Sequence, residues 1–161
     1  LYSSAASDVY KRQLLIYGVK MYKILLLIGL TLSSNSLVAA TVEIEMLNRL
    51  GKESMVYSQN IINVQQGDTV KWLASSKGHN VQFLTAPDGV ASFKSKLSVD
   101  TEYTFTVPGI YLYQCTPHKS MGMIAVVIVD GNKDNIEAIS ATRVGGKSKK
   151  RLAQILTTIS S

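Results

Sequence analysis

The chain has 161 residues, a formal net charge of +6, two histidines and one cysteine. That length suits one ordinary domain and not comfortably two. One cysteine excludes an intrachain disulfide, and a mild positive balance is not by itself a nucleic-acid signature.

Residues 1–20 show no apolar periodicity. Ser3 to Gln13, SSAASDVYKRQ, looks like a translated sequencing-library adapter. The expectation is that 1–20 is a non-native upstream translation, to be left out of fold reasoning. Met21-Tyr22-Lys23 then opens a short positive start, followed by the apolar run Ile24–Leu32 and the small residues Val38-Ala39-Ala40. This is signal-peptide grammar, expected over 21–40 with cleavage after Ala40. The unbroken apolar run is too short for a membrane anchor, which needs about 20 residues. The expected mature chain, 41–161, holds 13 Lys+Arg and 10 Asp+Glu, a net charge of +3. It is expected to be a monomer with no nucleic-acid partner and no stable membrane association.

Segment 42–47 alternates, with Val42, Ile44 and Met46 on one face and Glu43 and Glu45 on the other, so it reads as a half-buried strand. Ile61–Val64 is a short β-rich run closed by Gly67-Asp68. Thr69–Leu73 puts Val70 and Trp72 on one side, and Asn80–Leu84 alternates less cleanly. Ala86-Pro87-Asp88-Gly89 carries turn chemistry. Glu102–Val107 ends at Pro108-Gly109, and apolar strands at Ile110–Gln114 and Met123–Val129 flank Cys115–Gly122. Short strands with regular turns predict an all-β sandwich over 41–130 with Greek-key links. Residues 131–161 read as a helical extension packed on that sandwich. Asn135–Ala141 is a short helix, and Ser148–Ser160 carries the i, i+3, i+4, i+7 stripe Leu152, Ile155, Leu156, Ile159. Lys147, Lys149, Lys150 and Arg151 crowd the start of that helix, where cations oppose the helix dipole. There is no internal repeat or low-complexity tract.

An exported lone thiol needs a reason, and the neighbours of Cys115 supply one. Cys115-Thr116-Pro117-His118-Lys119-Ser120-Met121-Gly122-Met123 has the spacing Cys-x2-His-x4-Met, and His79 stands 36 residues earlier. One thiolate, two imidazoles and a weak thioether form the donor set of a mononuclear blue-copper centre. Each residue alone has a plainer reading: a surface histidine, a core-filling methionine, a buried small cysteine. Together they use both histidines and the single cysteine of the chain. Zinc also takes Cys and His, but a methionine in the fourth position argues against it. Pro117 restricts the loop backbone, and Gly122 permits the return that brings Met123 back. With both histidines used, a second catalytic copper and Ser/His/Asp chemistry are excluded, so no enzyme is expected. Copper storage or delivery is the alternative reading. It predicts a Met/His-rich stretch, which Met21, Met46, Met55, Met121 and Met123 do not form outside the loop.

The chain resembles the pseudoazurins, type I copper proteins of the cupredoxin family, from Val42 to the C-terminus. The resemblance rests on Glu45-Met46-Leu47-Asn48, Gly67-Asp68-Thr69-Val70, Lys77-Gly78-His79-Asn80, Phe93-Lys94-Ser95-Lys96, Pro108-Gly109-Ile110-Tyr111-Leu112, Cys115-Thr116-Pro117-His118 and Met121-Gly122-Met123-Ile124. It implies an eight-stranded Greek-key β-sandwich with two C-terminal α-helices. It also implies one copper ion cycling between Cu(I) and Cu(II), and a periplasmic one-electron carrier that donates to a copper nitrite reductase or another denitrification enzyme. Carried over residue by residue, His79, Cys115, His118 and Met123 match the copper ligands. Asn80 matches a position whose backbone amide bonds the cysteine sulfur, and Asn48 one that orients the His79 region. Met55, Pro117 and Met121 match an apolar patch around an exposed His118. Arg49, Lys77, Lys94 and Lys96 match basic positions that face acidic redox partners. Three departures bear on the partner: Gln114 stands where lysine is common, Lys119 where an aromatic is common, and Leu50 reads as an insertion in the loop after Asn48.

Overall fold

The computed structural model describes residues 38–161. The expected upstream translation 1–20 and the export segment, up to residue 37, lie outside the described residues. Eight strands form two sheets: β1 Thr41–Leu50, β2 Glu53–Tyr57, β3 Ile61–Val64, β4 Thr69–Leu73, β5 Gln82–Thr85, β6 Thr101–Thr104, β7 Gly109–Gln114 and β8 Ile124–Val129. Two helices follow, α1 Ile136–Ser140 and α2 Lys147–Ser160. One sheet runs β2-β1-β4-β6 and the other β3-β8-β7-β5. The pairs β1–β4 and β3–β8 are parallel and the rest antiparallel, so this is an all-β Greek-key sandwich with a helical end.

Period-two alternation explains the core. Ile44, Met46, Val70 and Trp72 from one sheet meet Ile62, Val64, Tyr111, Tyr113, Ala125, Val127 and Val129 from the other. The opposite face of the second sheet is also buried. Ile110, Leu112, Ile124, Val126 and Ile128 pack against Ile139 of α1 and Leu152, Ile155 and Ile159 of α2. Strands β7 and β8 are thus buried at every position, which is why they read as unbroken apolar runs. Leu152, Ile155 and Ile159 each contribute roughly 1.5–3 kcal/mol of transfer free energy. Helix propensity alone does not hold α2 in place.

The alternation also aims the chemistry. Tyr111, Tyr113 and Cys115 share the inward face of β7, and Met123, Ala125 and Val127 share that of β8. The ladder extends past the strand ends, with the Cys115 N–H donating to the Met123 carbonyl at 2.9 Å.

Some boundaries differ from expectation. Strand β2 was not anticipated: it is an edge strand that opens on exposed Glu53 and Ser54, and its Met55 has φ +53°. Leu50 is not a loop residue. Strand β1 runs through it, paired with Glu53, and Gly51-Lys52 make the turn. Strand β5 starts at Gln82 rather than Asn80, because the Asn80 amide turns to the loop that follows Cys115. Strand β6 stops at Thr104, where the Phe105 N–H leaves for the Asp68 carbonyl.

Candidate metal centre

His79 sits in the connection between β4 and β5. Gly78 takes φ +87° to enter the turn. Ser98 then pins the backbone on both sides of His79: its Oγ accepts from the Gly78 N–H at 2.8 Å, and its N–H donates to the His79 carbonyl at 2.9 Å. Cys115 directly follows β7, and His118 lies on the loop behind it, where its N–H reaches back to the Cys115 carbonyl at 3.1 Å. Gly122, at φ +98°, returns the chain to Met123.

Three donor atoms converge. Cys115 Sγ lies 3.7 Å from His79 Nδ1 and 3.4 Å from His118 Nδ1. The donor atoms of these three residues all lie within 4.8 Å of one another, and the two imidazole rings are 4.8 Å apart between centroids. Cys115, His79 and Met123 are fully buried, whereas His118 is half-buried and Pro117 beside it is exposed.

The far nitrogen of His79 fixes its tautomer. Nε2 is 2.8 Å from Asn48 Oδ1. A carboxamide oxygen only accepts, so Nε2 carries the proton and Nδ1 presents a lone pair toward the sulfur. Burial pushes the pKa of both imidazoles down, and for His79 the neighbouring His118 adds to the effect. Both shifts favour the neutral ring, the form that ligates. Burial pushes the Cys115 thiol up, partly offset by the backbone N–H groups of Asn80 and His118. A soft thiol with two neutral imidazoles fits copper, which can displace the thiol proton.

Asn80 ties the two halves of the site together. Its Oδ1 accepts from the Thr116 N–H at 2.8 Å, and its Nδ2 reaches Thr116 Oγ1 at 3.2 Å and the Ser95 carbonyl at 3.3 Å. Tyr57 Oη donates to the Asn80 carbonyl at 2.8 Å. Thr116, Ser98 and Tyr57 carry no pattern that would have singled them out, since their partners lie 19 or more residues away.

Around the half-buried His118 edge, Met121 is 41% exposed. Arg49, Lys77, Lys94, Lys96 and Lys119 are exposed. The two ion pairs among the described residues, Lys71–Glu43 and Arg151–Glu53, involve none of them. Met55 is half-buried, with part of its side chain packed against the core. Gln114 is buried, with its Nε2 donating to Gln82 Oε1 at 3.2 Å, so this position carries no exposed group.

Residues 44–130 match the family described as copper binding proteins, plastocyanin/azurin family. The chain is 35% identical to the pseudoazurin of Paracoccus pantotrophus, over 71% of this chain and 80% of that one. It is 33% identical to the pseudoazurin of Methylorubrum extorquens, over 75% and 83%. Among solved structures, a pseudoazurin from Sinorhizobium superposes with a TM-score of 0.72 at 37% identity, covering 76% of this chain and 98% of that one.

Proposed function

The chain belongs to the pseudoazurins, within the plastocyanin/azurin family of copper-binding proteins, and we propose that His79, Cys115, His118 and Met123 hold its copper. As a member of that family it is an electron carrier with one copper ion and not an enzyme. The observation that carries the ligand assignment is the convergence of one thiol and two imidazole nitrogens beneath an open edge of His118.

Bound copper supplies a one-electron couple. The residues supply everything else. Asn48 sets the His79 ring, and Asn80 and Thr116 lock the Cys115 turn to the His79 turn. The backbone N–H groups of Asn80 and His118 stabilise thiolate charge. Met123, fully buried on the inward face of β8, supplies the thioether and excludes water. Donors held this firmly leave little to rearrange when the charge changes.

We further propose that the protein is exported by the 21–40 segment and works in the periplasm. There it passes electrons to a copper nitrite reductase or another denitrification enzyme. Pro117, Met121 and the rim of Met55 form the apolar contact. Arg49, Lys77, Lys94, Lys96 and Lys119 steer an acidic partner surface. Redox encounters of this kind bury less than about 1,200 Å² in total.

Copper-loaded protein is expected to show an intense thiolate band near about 600 nm, lost in Cys115→Ser; a band that survives the substitution refutes the ligand assignment. For the partner, reduced protein is mixed with purified copper nitrite reductase and nitrite. Prompt reoxidation is the expected result, and its absence removes this enzyme as acceptor.

A further inference from the structure

The loop that carries His118 and Met123 is open on one side, with Lys119, Ser120 and Met121 exposed. Its internal bonds run from the His118 N–H to the Cys115 carbonyl and from the Met121 N–H to the His118 carbonyl. They leave the Lys119 and Ser120 carbonyls without partners inside the loop. Both are taken by α2: Ser148 Oγ donates to the Lys119 carbonyl, and the Lys147 N–H donates to the Ser120 carbonyl at 2.8 Å.

Building on the copper-site assignment above, we propose that the start of α2 is a positioning element for that site, with Ser148 as its key residue. Four observations carry this. Ser148 is fully buried although it belongs to the first turn of a helix. That helix has no side-chain cap of its own, so its one early hydroxyl serves the loop instead. Gly146, at φ +56°, is in such close contact that a Cβ there would lie 2.3 Å from the Ser120 oxygen. The helix is anchored elsewhere, by its apolar stripe on the outer face of the second sheet and by Arg151, which donates to Glu53 of β2 at 2.9 Å.

The basic start of α2 fits the same reading. Lys147, Lys149, Lys150 and Arg151 oppose the helix dipole. The position of this helix end is therefore set by what it touches and not by its own stability. What it touches is the span between two ligands. Holding the Lys119 and Ser120 carbonyls holds the distance from His118 to Met123.

The test compares Ser148→Ala with Leu152→Ala, which weakens the docking of α2 through the apolar stripe without touching the loop. Amide exchange at Met121 is read in the metal-free protein, and copper release and the visible band in the loaded one. Ser148→Ala is expected to speed Met121 exchange, alter the band and release copper roughly tenfold faster, the scale seen when groups supporting a metal ligand are removed. Leu152→Ala is expected to lower Tm with the band unchanged. Gly146→Ala should exceed Ser148→Ala in the same direction. Unchanged exchange and release in Ser148→Ala overturn the proposal, as does Leu152→Ala shifting the band equally. A wild-type protein that takes up no copper overturns the ligand assignment instead, and the metal-free exchange data then decide the brace alone.

Discussion

Asn48 and His79, 31 residues apart in the chain, are joined by a 2.8 Å hydrogen bond from the imidazole Nε2 to the amide Oδ1. The bond selects one tautomer and one ring orientation, and it comes from β1, an element that contributes no donor atom to the cluster. Replacing Asn48 by Leu removes the acceptor and frees the ring. Copper affinity is expected to fall about 10- to 100-fold, as for other groups that orient a metal ligand. Competition with a chelator of known affinity measures it; an unchanged affinity would mean that packing alone orients the ring.

As the proposed fourth ligand, Met123 would set the balance between the two oxidation states. Met123→Gln presents a harder oxygen donor, which favours Cu(II). The variant should retain copper and show a lower reduction potential. Potentiometry decides the matter, since an unaltered potential would remove Met123 from the ligand set.

The unpaired cations make a kinetic prediction. Lys77→Glu, Lys94→Glu and Lys119→Glu should each slow electron transfer to an acidic partner at low salt. The difference should shrink as the Debye length falls from about 10 Å at 0.1 M toward about 3 Å at 1 M. Stopped-flow rates across that range check it, and mutant rates equal to wild type at low salt would exclude steering.

Alkaline stability follows from two buried tyrosines. Burial pushes Tyr111 up to about 12 and Tyr57 well above the usual phenol value. Each donates its hydroxyl proton to a carbonyl, Tyr111 to Val107 and Tyr57 to Asn80. The unfolded chain loses these protons near pH 10 and the folded one later, so stability is full below about pH 10 and declines toward pH 12. Denaturant midpoints at pH 8, 10 and 11.5 should show the decline, and Tyr111→Phe should lessen it, with Tyr57 and Tyr113 still buried and raised. A wild-type midpoint that stays level to pH 11.5 contradicts the account.

Much of this architecture was readable in advance because burial leaves a periodic trace. Ile61–Val64 and Thr69–Leu73 appear as strands with the expected ends, and the stripe of α2 lies on the sheet as its spacing required. Strand β2 escaped because an exposed edge carries no two-sided pattern, and its Met55 breaks the regular backbone. Strand β5 begins late because the Asn80 side chain is taken by Thr116. The same holds around the cluster. His79, Cys115 and His118 stood out by chemical type, being the chain's one cysteine and its two histidines. Thr116, Ser98 and Ser148 are common residue types whose role comes only from where the fold puts them, and no spacing rule marks a hydroxyl that serves a carbonyl 29 residues away.

The two-sided burial of β7 and β8 bears on how the site is assembled. Cys115 follows the central strand β7, and His79 stands on the connection between β4 of one sheet and β5 of the other, so the cluster draws on both sheets. The stretch from Cys115 to Met123 carries three of the four proposed ligands, and the fourth, His79, joins them only through the packing of the two sheets. The complete donor set exists only in the folded protein, so copper affinity is expected to rise on folding.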